Sequence, residues 1–339
     1  LKALANVQVY GSIHELTGEK ATSFNGTVYM EVFDKSENIT TLGSNGGSTA
    51  TFQLQKSVLY KGKAQVVNGS FSFNFIVPKD IAYQYGNGKL SYYASSSTLD
   101  ASGCDKSITI GGMSGNILND NEGPNIHLFM NDEKFVNGQT TDENPVLLAL
   151  VSDSMGINTI GNGIGHDIVA VIDGDSENPM ILNDFYETDM NTYKSGVIRY
   201  PLSGLSEGNH TLQLKVWDVC NNSSTSSIDF EVVKSSKFII SQAYNYPNPM
   251  SEATTFAFVH NQSGKEMNVK IDIFSIDGRL QKNIQKSIVT EGYRTDITGW
   301  DGNDSHGNHL RQGIYIFRIT LRTADGLTAE KTGKLVIIH

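Results

Sequence analysis

Apolar and polar residues alternate with a period of two along most of this chain. The alternation is clearest in residues 28–32 and 71–75, where every second side chain is apolar and would share one face of a strand. No apolar stripe with the 3.6-residue period of a helix extends over a useful length. The pattern therefore predicts an all-β protein.

Turn signals divide the alternating runs. The pairs Asn25-Gly26 and Asn68-Gly69 each precede a predicted strand, and Asn-Gly is typical of two-residue hairpin turns because both residues tolerate positive φ. Gly11 interrupts a run that starts at Val7, and a glycine inside a strand indicates a β-bulge. These signals predict antiparallel strands joined by tight turns.

The runs fall into three groups, which predict three tandem antiparallel β-sandwich domains of immunoglobulin-like type. The first covers residues 1–111 and is a spacer domain. A stretch rich in Gly, Asn, Asp and Ser, residues 111–124, predicts a linker to the second domain, residues 112–239. The third domain, residues 240–339, has a hairpin signal at Asp277-Gly278 and alternating apolar residues from 315 to 321.

The last predicted strand is apolar and consists of Leu335, Val336, Ile337 and Ile338. An open apolar edge favours aggregation, so this strand is expected either to pair within its own sheet or to dock on a partner.

Charge is spread unevenly along the chain. The net charge of −10 is made up of +1 in residues 1–111, −12 in residues 112–239 and +1 in residues 240–339. An acidic surface repels nucleic acid and anionic head groups, so no nucleic-acid partner is expected. The acidic middle domain is then a solvated acidic surface.

The residue types needed for catalysis are present but badly placed. Cys104 and Cys220 fall in different predicted domains and have neither a CxxC nor a zinc-type spacing. His210 and Cys220 are ten residues apart, about 30 Å along one strand, and so cannot form a direct dyad there. We therefore expect no catalytic residue in this chain, and no cofactor.

Calcium is the one metal that the sequence suggests. Asp173 and Asp175 flank a glycine, and alternate acids in a turn are able to supply oxygen ligands. Neither this run nor the one that begins at Asp301 has the full EF-hand spacing. The same residues also cap turns by accepting bonds from nearby amides, so both interpretations stay open.

A series in the third domain predicts a structural motif. Trp300 can plug one end of a sandwich, and the glycines that follow it permit left-handed turns. The motif consists of Tyr246, Pro247, Asn248, Pro249, Trp300, Asp301, Gly302, Gly313 and Tyr315.

Several series together resemble a known family. The third-domain motif is similar to type IX secretion C-terminal domains and to FlgD-type immunoglobulin-like domains. Other series resemble the region that follows the peptidase domain in the PorU family of gingipain-related cysteine sortases. They are residues 24–26, 69–71 and 75–81, residues 156–159, 165–168 and 182–186, and residues 208–212, 216–218 and 221–222.

The resemblance implies a role in type IX secretion at the outer-membrane surface of a Gram-negative cell. Sortases of this family remove C-terminal signals from exported cargo and attach the cargo to anionic lipopolysaccharide. Their own C-terminal domain is retained and holds them to PorV, an outer-membrane barrel. The catalytic dyad lies in an upstream domain that is absent here, so no catalytic residue is carried over. Leu335 to Ile338 are the expected PorV contact.

Two alternatives are kept. The chain is also consistent with the stalk and sorting domain of a secreted cargo, such as an adhesin or a gingipain-like protease, with processing near residues 233–241. A calcium-dependent adhesin or carbohydrate-binding module would require exposed aromatic residues, whereas most aromatic residues here alternate along strands, which favours a core. Because the chain starts at Leu1 within strand-like sequence, we expect a piece of a longer protein.

Overall fold

The computed structural model describes residues 1–115, 120–160, 165–234, 238–290 and 292–338. The described residues form two compact units. Unit 1 comprises Leu1–Leu128, Ala149–Tyr200 and Leu212–Ser227, and unit 2 comprises Phe129–Leu148, Pro201–Thr211 and Ile228–His339.

Strands make up nearly all the regular structure in the described residues, as predicted, apart from two short 3-10 turns, Ser44–Gly46 and Asn183–Phe185. The strands of residues 1–111 are β1 (Asn6–Ser12), β2 (Gly26–Phe33), β3 (Glu37–Thr40), β4 (Thr51–Leu54), β5 (Val58–Val66), β6 (Ser70–Ile76), β7 (Gly86–Asn87), β8 (Lys89–Ser95), β9 (Asp100–Asp105) and β10 (Thr109–Ile110). Those of residues 112–239 are β11 (Asn125–Met130), β12 (Thr140–Thr141), β13 (Val146–Ser152), β14 (Val169–Ile172), β15 (Met180–Ile181), β16 (Tyr186–Thr188), β17 (Ser195–Pro201), β18 (Gly208–Trp217) and β19 (Ser223–Val232). The remainder are β20 (Ile240–Tyr246), β21 (Thr254–His260), β22 (Glu266–Ser275), β23 (Leu280–Val289), β24 (Arg294–Trp300), β25 (Gly313–Thr323) and β26 (Thr328–Ile337).

The first part of unit 1 is a sandwich with sheets of unequal size. The larger sheet has the order β5-β2-β8-β9, and the smaller consists of β1 and β6. Val28, Met30 and Val32 of β2 point into a core that also contains Phe73 and Phe75 of β6, which confirms the face predicted for both runs. Burial of such side chains stabilises the fold by about 1.5–3 kcal/mol each.

The Asn68-Gly69 turn is confirmed. Both residues have positive φ, and Val67 and Ser70 exchange backbone hydrogen bonds across them. The turn leads the chain from β5 in the larger sheet to β6 in the smaller one.

Two sequence predictions in this region are wrong. Gly11 is no bulge, because β1 and β6 stay in register through Gly11 and Phe71. A glycine is needed there since the Phe71 ring covers it, and a Cβ atom would lie 2.2 Å from that ring. The Asn25-Gly26 pair forms no hairpin turn: Gly26 already belongs to β2, where it lies against the Ser95 carbonyl, and the Asn25 side chain accepts a bond from the Asn68 amide.

The middle strands of unit 1 include three antiparallel pairings. β14 lies between β15 and residues 212–215 of β18. β16 pairs with β17. Leu212, Leu214 and Val216 are buried on one face of β18.

Unit 2 contains a second sandwich. One sheet has the order β20-β21-β24, and the other has the order β23-β22-β25-β26. Phe256, Phe258 and Phe317 form the centre of its core, together with Ile271 and Ile319. The hairpin predicted at Asp277-Gly278 joins β22 to β23.

Unit 2 also includes residues from before position 240. The short strand β12 pairs in parallel with β19. The Tyr293 hydroxyl donates a 2.6 Å hydrogen bond to the Asp142 carboxylate, and Gly292 approaches Asp132 so closely that a Cβ atom would collide with it. The division into three domains stays a prediction, but residues 129–148 are tied to residues 240–338 by specific contacts.

Candidate functional site

A network of polar side chains centred on Asp80 lies within unit 1. His166 Nδ1 donates to Asp80 Oδ2 at 2.6 Å, and Asn158 Nδ2 donates to the same oxygen at 3.1 Å. Asn221 Nδ2 donates to Asp80 Oδ1 at 2.8 Å. Both carboxylate oxygens are therefore engaged, and a carboxylate with several donors is held in one orientation.

Each member of this network is placed by irregular backbone next to a strand. Asp80 follows β6, Asn158 follows β13, and His166 precedes β14. Asn221 occupies the tight turn between β18 and β19 with a φ of 74°, a conformation that asparagine tolerates better than most residues. The fold thus brings together loops that are far apart in the sequence.

Aromatic and basic side chains cover one side of the network. The His166 ring lies 4.3 Å from the Trp217 ring, and the Lys215 ammonium lies 4.3 Å from the centre of the same indole. Trp217 therefore packs against His166 on the face of β18 opposite Leu212, Leu214 and Val216.

A buried acidic group adjoins the network through Asn221, whose backbone amide donates to the Asp218 carbonyl at 3.3 Å. Asp218 is fully buried, and its Oδ1 accepts hydrogen bonds from the backbone amides of Cys220 and Asn222. Burial raises the Asp218 pKa to about 6, and the neighbouring Asp153 and Asp120 carboxyl groups act in the same direction. Burial also raises the pKa of Asp153. The carboxyl groups of Asp218 and Asp153 are thus more readily protonated than an exposed carboxylate.

Cys220 lies beside these carboxyl groups and is a poor nucleophile. Burial, followed by the negative charges of Asp218 and Asp120, raises its pKa to about 11. A thiol with that pKa is protonated at neutral pH, and the thiolate is the reactive form. Both cysteines are free, and Cys104 is exposed on β9.

His210, the other member of the rejected dyad, has a local structural role in unit 2. Its Nε2 donates to the Ser206 carbonyl at 2.8 Å, and its ring stacks on Phe230.

The predicted calcium ligands lie in an exposed turn after β14. Asp173 and Gly174 have positive φ, and the Asp175 carboxylate accepts bonds from the Glu177 amide and the Asn178 side chain. Among the described residues, the grouping with metal-ligand geometry is a different one, formed by Asp120, Asp218 and Cys220, whose ligand atoms lie within 4.8 Å of one another. Two carboxyl groups and a protonated thiol match the six to eight oxygen ligands of calcium poorly. Calcium at Asp173 and Asp175 stays a prediction.

In unit 2, the predicted Tyr246–Pro249 motif holds the last strand. The Asn248 side chain donates to the Lys334 carbonyl at 2.8 Å and accepts from the Val336 amide at 2.9 Å. The peptide bonds before Pro247 and Pro249 are both cis. Tyr246 donates its hydroxyl proton to Asp296.

The Trp300 part of the motif closes one end of the same sandwich. Trp300 is buried against Phe256, and its Nε1 donates to the Asn303 carbonyl. Gly302 and Gly313 have positive φ, and Asp301 accepts from the Asn303 amide. Tyr315 donates to the Arg311 carbonyl and contributes to the core.

The four residues predicted to dock a partner alternate in exposure. Leu335 and Ile337 are buried in the core of unit 2, whereas Val336 is half-buried and Ile338 is 48% exposed. Backbone bonds from the Met250 amide to the Val336 carbonyl, and from the Ile338 amide to the Met250 carbonyl, pair this part of β26 on its outer side. Only Val336 and Ile338 therefore present side chains to a partner.

Sequence reasoning did not single out Asp80, Asn158 or Asp120 as members of a site. Asp80 and Asn158 occur within the series that resemble the PorU family, but no local spacing signals that they meet. The contact is created by tertiary structure.

The described residues define an all-β protein with sandwich-like units. Over its whole length the chain is 30% identical to latent, dimeric PorU from Porphyromonas gingivalis, of which it covers 32%, with a TM-score of 0.43. The chain spans about a third of that protein.

Two further solved structures match only weakly. SGBP-B of a Bacteroides ovatus mixed-linkage glucan utilization locus is 10% identical, with a TM-score of 0.30 over 99% of this chain and 65% of that one. A tetra-tandem repeat from a large adhesion protein is 12% identical, with a TM-score of 0.22 over 98% of this chain and 82% of that one. Neither match bears on function. No model of a known protein family and no curated protein matches the chain.

Within the described residues, no helix has the length and apolar character needed to cross a lipid bilayer.

Proposed function

We propose that this chain is the post-catalytic part of a type IX secretion sortase. The parent enzyme would be a gingipain-type cysteine peptidase that removes cargo signals and joins the cargo to anionic lipopolysaccharide. This part would position the enzyme at the cell surface and anchor it to PorV at the outer membrane. The observation that carries the proposal is the 30% identity to PorU along the entire chain.

The Asp80 network supports the same proposal. Asp80, Asn158, His166 and Asn221 all come from the series that resemble the PorU family, and they meet in one hydrogen-bonded group. The four residues thus have a common structural role in unit 1. The protonated thiol of Cys220 is consistent with a non-catalytic role.

The contacts in unit 2 favour the sortase over the cargo alternative. Removal of residues 240–339 would take Tyr293, which is 7% exposed, away from Asp142 and would uncover apolar surface. A cleavable signal is expected to separate from its neighbour without such damage. Part of the predicted cleavage region, residues 235–237, lies outside the described residues.

PorV binding is tested with the full chain, detergent-solubilised PorV and a surface-immobilised binding assay. Wild-type protein should bind, and the double substitution Val336→Asp with Ile338→Asp should abolish binding because it places charges on the exposed side chains of β26. Thr332→Asp on the same strand is the matched control and should bind normally.

The outcomes separate two failures. If the wild-type chain does not bind PorV, the anchoring function is wrong. If the wild-type chain and the double variant bind equally well, anchoring stands and the predicted contact at the terminal strand is wrong.

A further inference from the structure

Strand β1 has an unpaired backbone edge. It pairs with β6 on one side, and among the described residues the smaller sheet of this sandwich consists of those two strands. Val77 N donates to Ala5 O, and Ile13 N donates to Gly69 O, so the odd-numbered residues face β6. In an antiparallel strand the intervening residues must then direct their N–H and C=O groups to the opposite side.

Those groups belong to Asn6, Gln8, Tyr10 and Ser12. Within the described part of the chain, no backbone or side-chain hydrogen bond reaches them. The edge also lacks the usual protections of an edge strand, since β1 contains no proline, no charged residue and no break in register. Val7 and Val9 are only half-buried, as expected where a neighbouring strand is missing.

A cleft of about 380 Å³ opens beside the end of this edge. Gly11 and Phe71 of the smaller sheet form one wall, and Tyr92, Ala94, Ala101 and Gly103 of β8 and β9 form the other. The larger sheet has four strands and the smaller has two, so the small side chains of β9 are left uncovered. A Cβ atom added to Gly103 would meet no atom within 4 Å, which shows that space is available there.

The cleft is electrically neutral. Its lining contains no Asp, Glu, Lys or Arg among the described residues, and both nitrogens of its one histidine, His14, are bonded to Gly18 and Ser12. A charged occupant would lose hydration without meeting an opposite charge, so charge complementarity selects an uncharged one.

We propose that β1 and this cleft bind an extended, uncharged peptide segment of a partner protein. The segment adds a third strand to the smaller sheet by pairing with Gln8, Tyr10 and Ser12. Alternate side chains of an added strand point to one face, so an apolar residue of the segment enters the cleft above Ala101 and Gly103. This surface is separate from the PorV contact proposed for β26.

The test uses the full chain and a capped octapeptide in which Thr alternates with Val, with one Phe at a central Val position. Titration is followed by amide chemical shifts of isotope-labelled protein. We expect saturable shifts at Gln8, Tyr10 and Ser12, together with shifts at Ala101 and Gly103.

Two variants block the two halves of the surface. Gln8→Pro removes an outward N–H that β6 does not use, and Gly103→Leu fills the cleft from an exposed edge strand. Each should weaken peptide binding by about tenfold or more. The matched controls, Gln8→Ala and Cys104→Leu, keep the amide and the open cleft and should bind like the wild type.

Any of three results would overturn the proposal. The first is the absence of shifts along β1 at saturating peptide, and the second is binding that survives both blocking variants. The third is a set of β1 shifts that depends on protein concentration without peptide, which would make a second copy of the chain the occupant. If Gln8→Pro does not fold, the comparison of Gly103→Leu with Cys104→Leu decides the question.

Discussion

At the scale of single residues, the environment of Cys220 makes its thiol a poor nucleophile. Its thiol lies beside Asp218 and Asp120, and both burial and negative charge keep the proton on sulfur. Reactive cysteines have the opposite surroundings, with positive charge and partial exposure.

Alkylation measures this difference directly. With iodoacetamide at about pH 7.5, exposed Cys104 should be modified rapidly and Cys220 only slowly. Peptide mass spectrometry over time gives both rates in one sample, and the urea-unfolded chain, in which both thiols should react alike, is the control. Equal rates in the folded chain would contradict the assignment of Cys220 as an unreactive thiol.

Asp218 gives a pH-dependent contribution to stability. Its pKa rises from 3.8 to about 6 on folding, chiefly through burial. The folded state therefore binds more protons than the unfolded state between about pH 4 and 6, and stability must fall as pH rises through that window. The contribution is on the order of 1–3 kcal/mol.

Asp218→Asn should flatten this dependence because its side chain does not titrate. Urea unfolding of unit 1 can be followed by Trp217 fluorescence in a Trp300→Phe background, since the chain has 2 tryptophans. Between pH 4.5 and pH 7, the urea midpoint of the Trp300→Phe parent should fall relative to the midpoint of the Asp218→Asn variant. Asp100→Asn, at an exposed site, should behave like the parent, and parallel curves for all three proteins would refute the argument.

At the scale of elements, the strand pattern was readable from sequence wherever side-chain alternation and burial coincide. The buried faces of β2, β6 and β25 follow directly from their apolar residues. Turns were less predictable, because an Asn-Gly pair fixes a local preference without fixing the path of the chain. Asn68-Gly69 forms the expected turn, whereas Asn25-Gly26 leads straight into β2.

The polar network could not be predicted for a related reason. Asp80 and His166 are 86 residues apart in the sequence, and only the folded unit brings Asp80 Oδ2 within 2.6 Å of His166 Nδ1. Gly11 was misread because its requirement is a tertiary one, the ring of Phe71, and not a local bulge.

The Asn68-Gly69 turn gives a prediction about backbone conformation. Gly69 has a φ of 68°, and a Cβ atom there would lie 2.4 Å from the Ala21 carbonyl oxygen. Gly69→Ala should therefore destabilise the chain by about 1–3 kcal/mol in denaturant unfolding. Gly103→Ala, where space is open, is the control and should change stability little. Equal stabilities for the two variants would show that the turn relaxes without cost.

At the scale of the whole molecule, charge is concentrated in one segment. Residues 112–239 are strongly acidic, whereas the segments on either side are nearly neutral. A net charge of −12 opposes direct contact with an anionic polysaccharide. Residues 112–239 are therefore not expected to contact such a polysaccharide directly.

The fate of the last domain distinguishes an anchored sortase from a processed cargo protein. Within unit 2, β12 pairs with β19, Tyr293 bonds to Asp142, and Asn248 holds the end of β26. Cleavage near residues 233–241 would break the covalent link across a packed unit and leave Tyr293 and its neighbours exposed, which is unfavourable for a surface protein.

We therefore expect the natural protein, purified from the surface of the cells that make it, to retain the sequence through His339. Intact-mass spectrometry provides the measurement, and a secreted protein with a known type IX signal from the same cells serves as the processed control. A mass that ends near residues 233–241 would support the cargo alternative. Retention, combined with PorV binding that depends on Val336 and Ile338, would leave the anchored sortase as the explanation of both the sequence relation and the contacts in unit 2, because a cargo signal that is never removed could not release its protein.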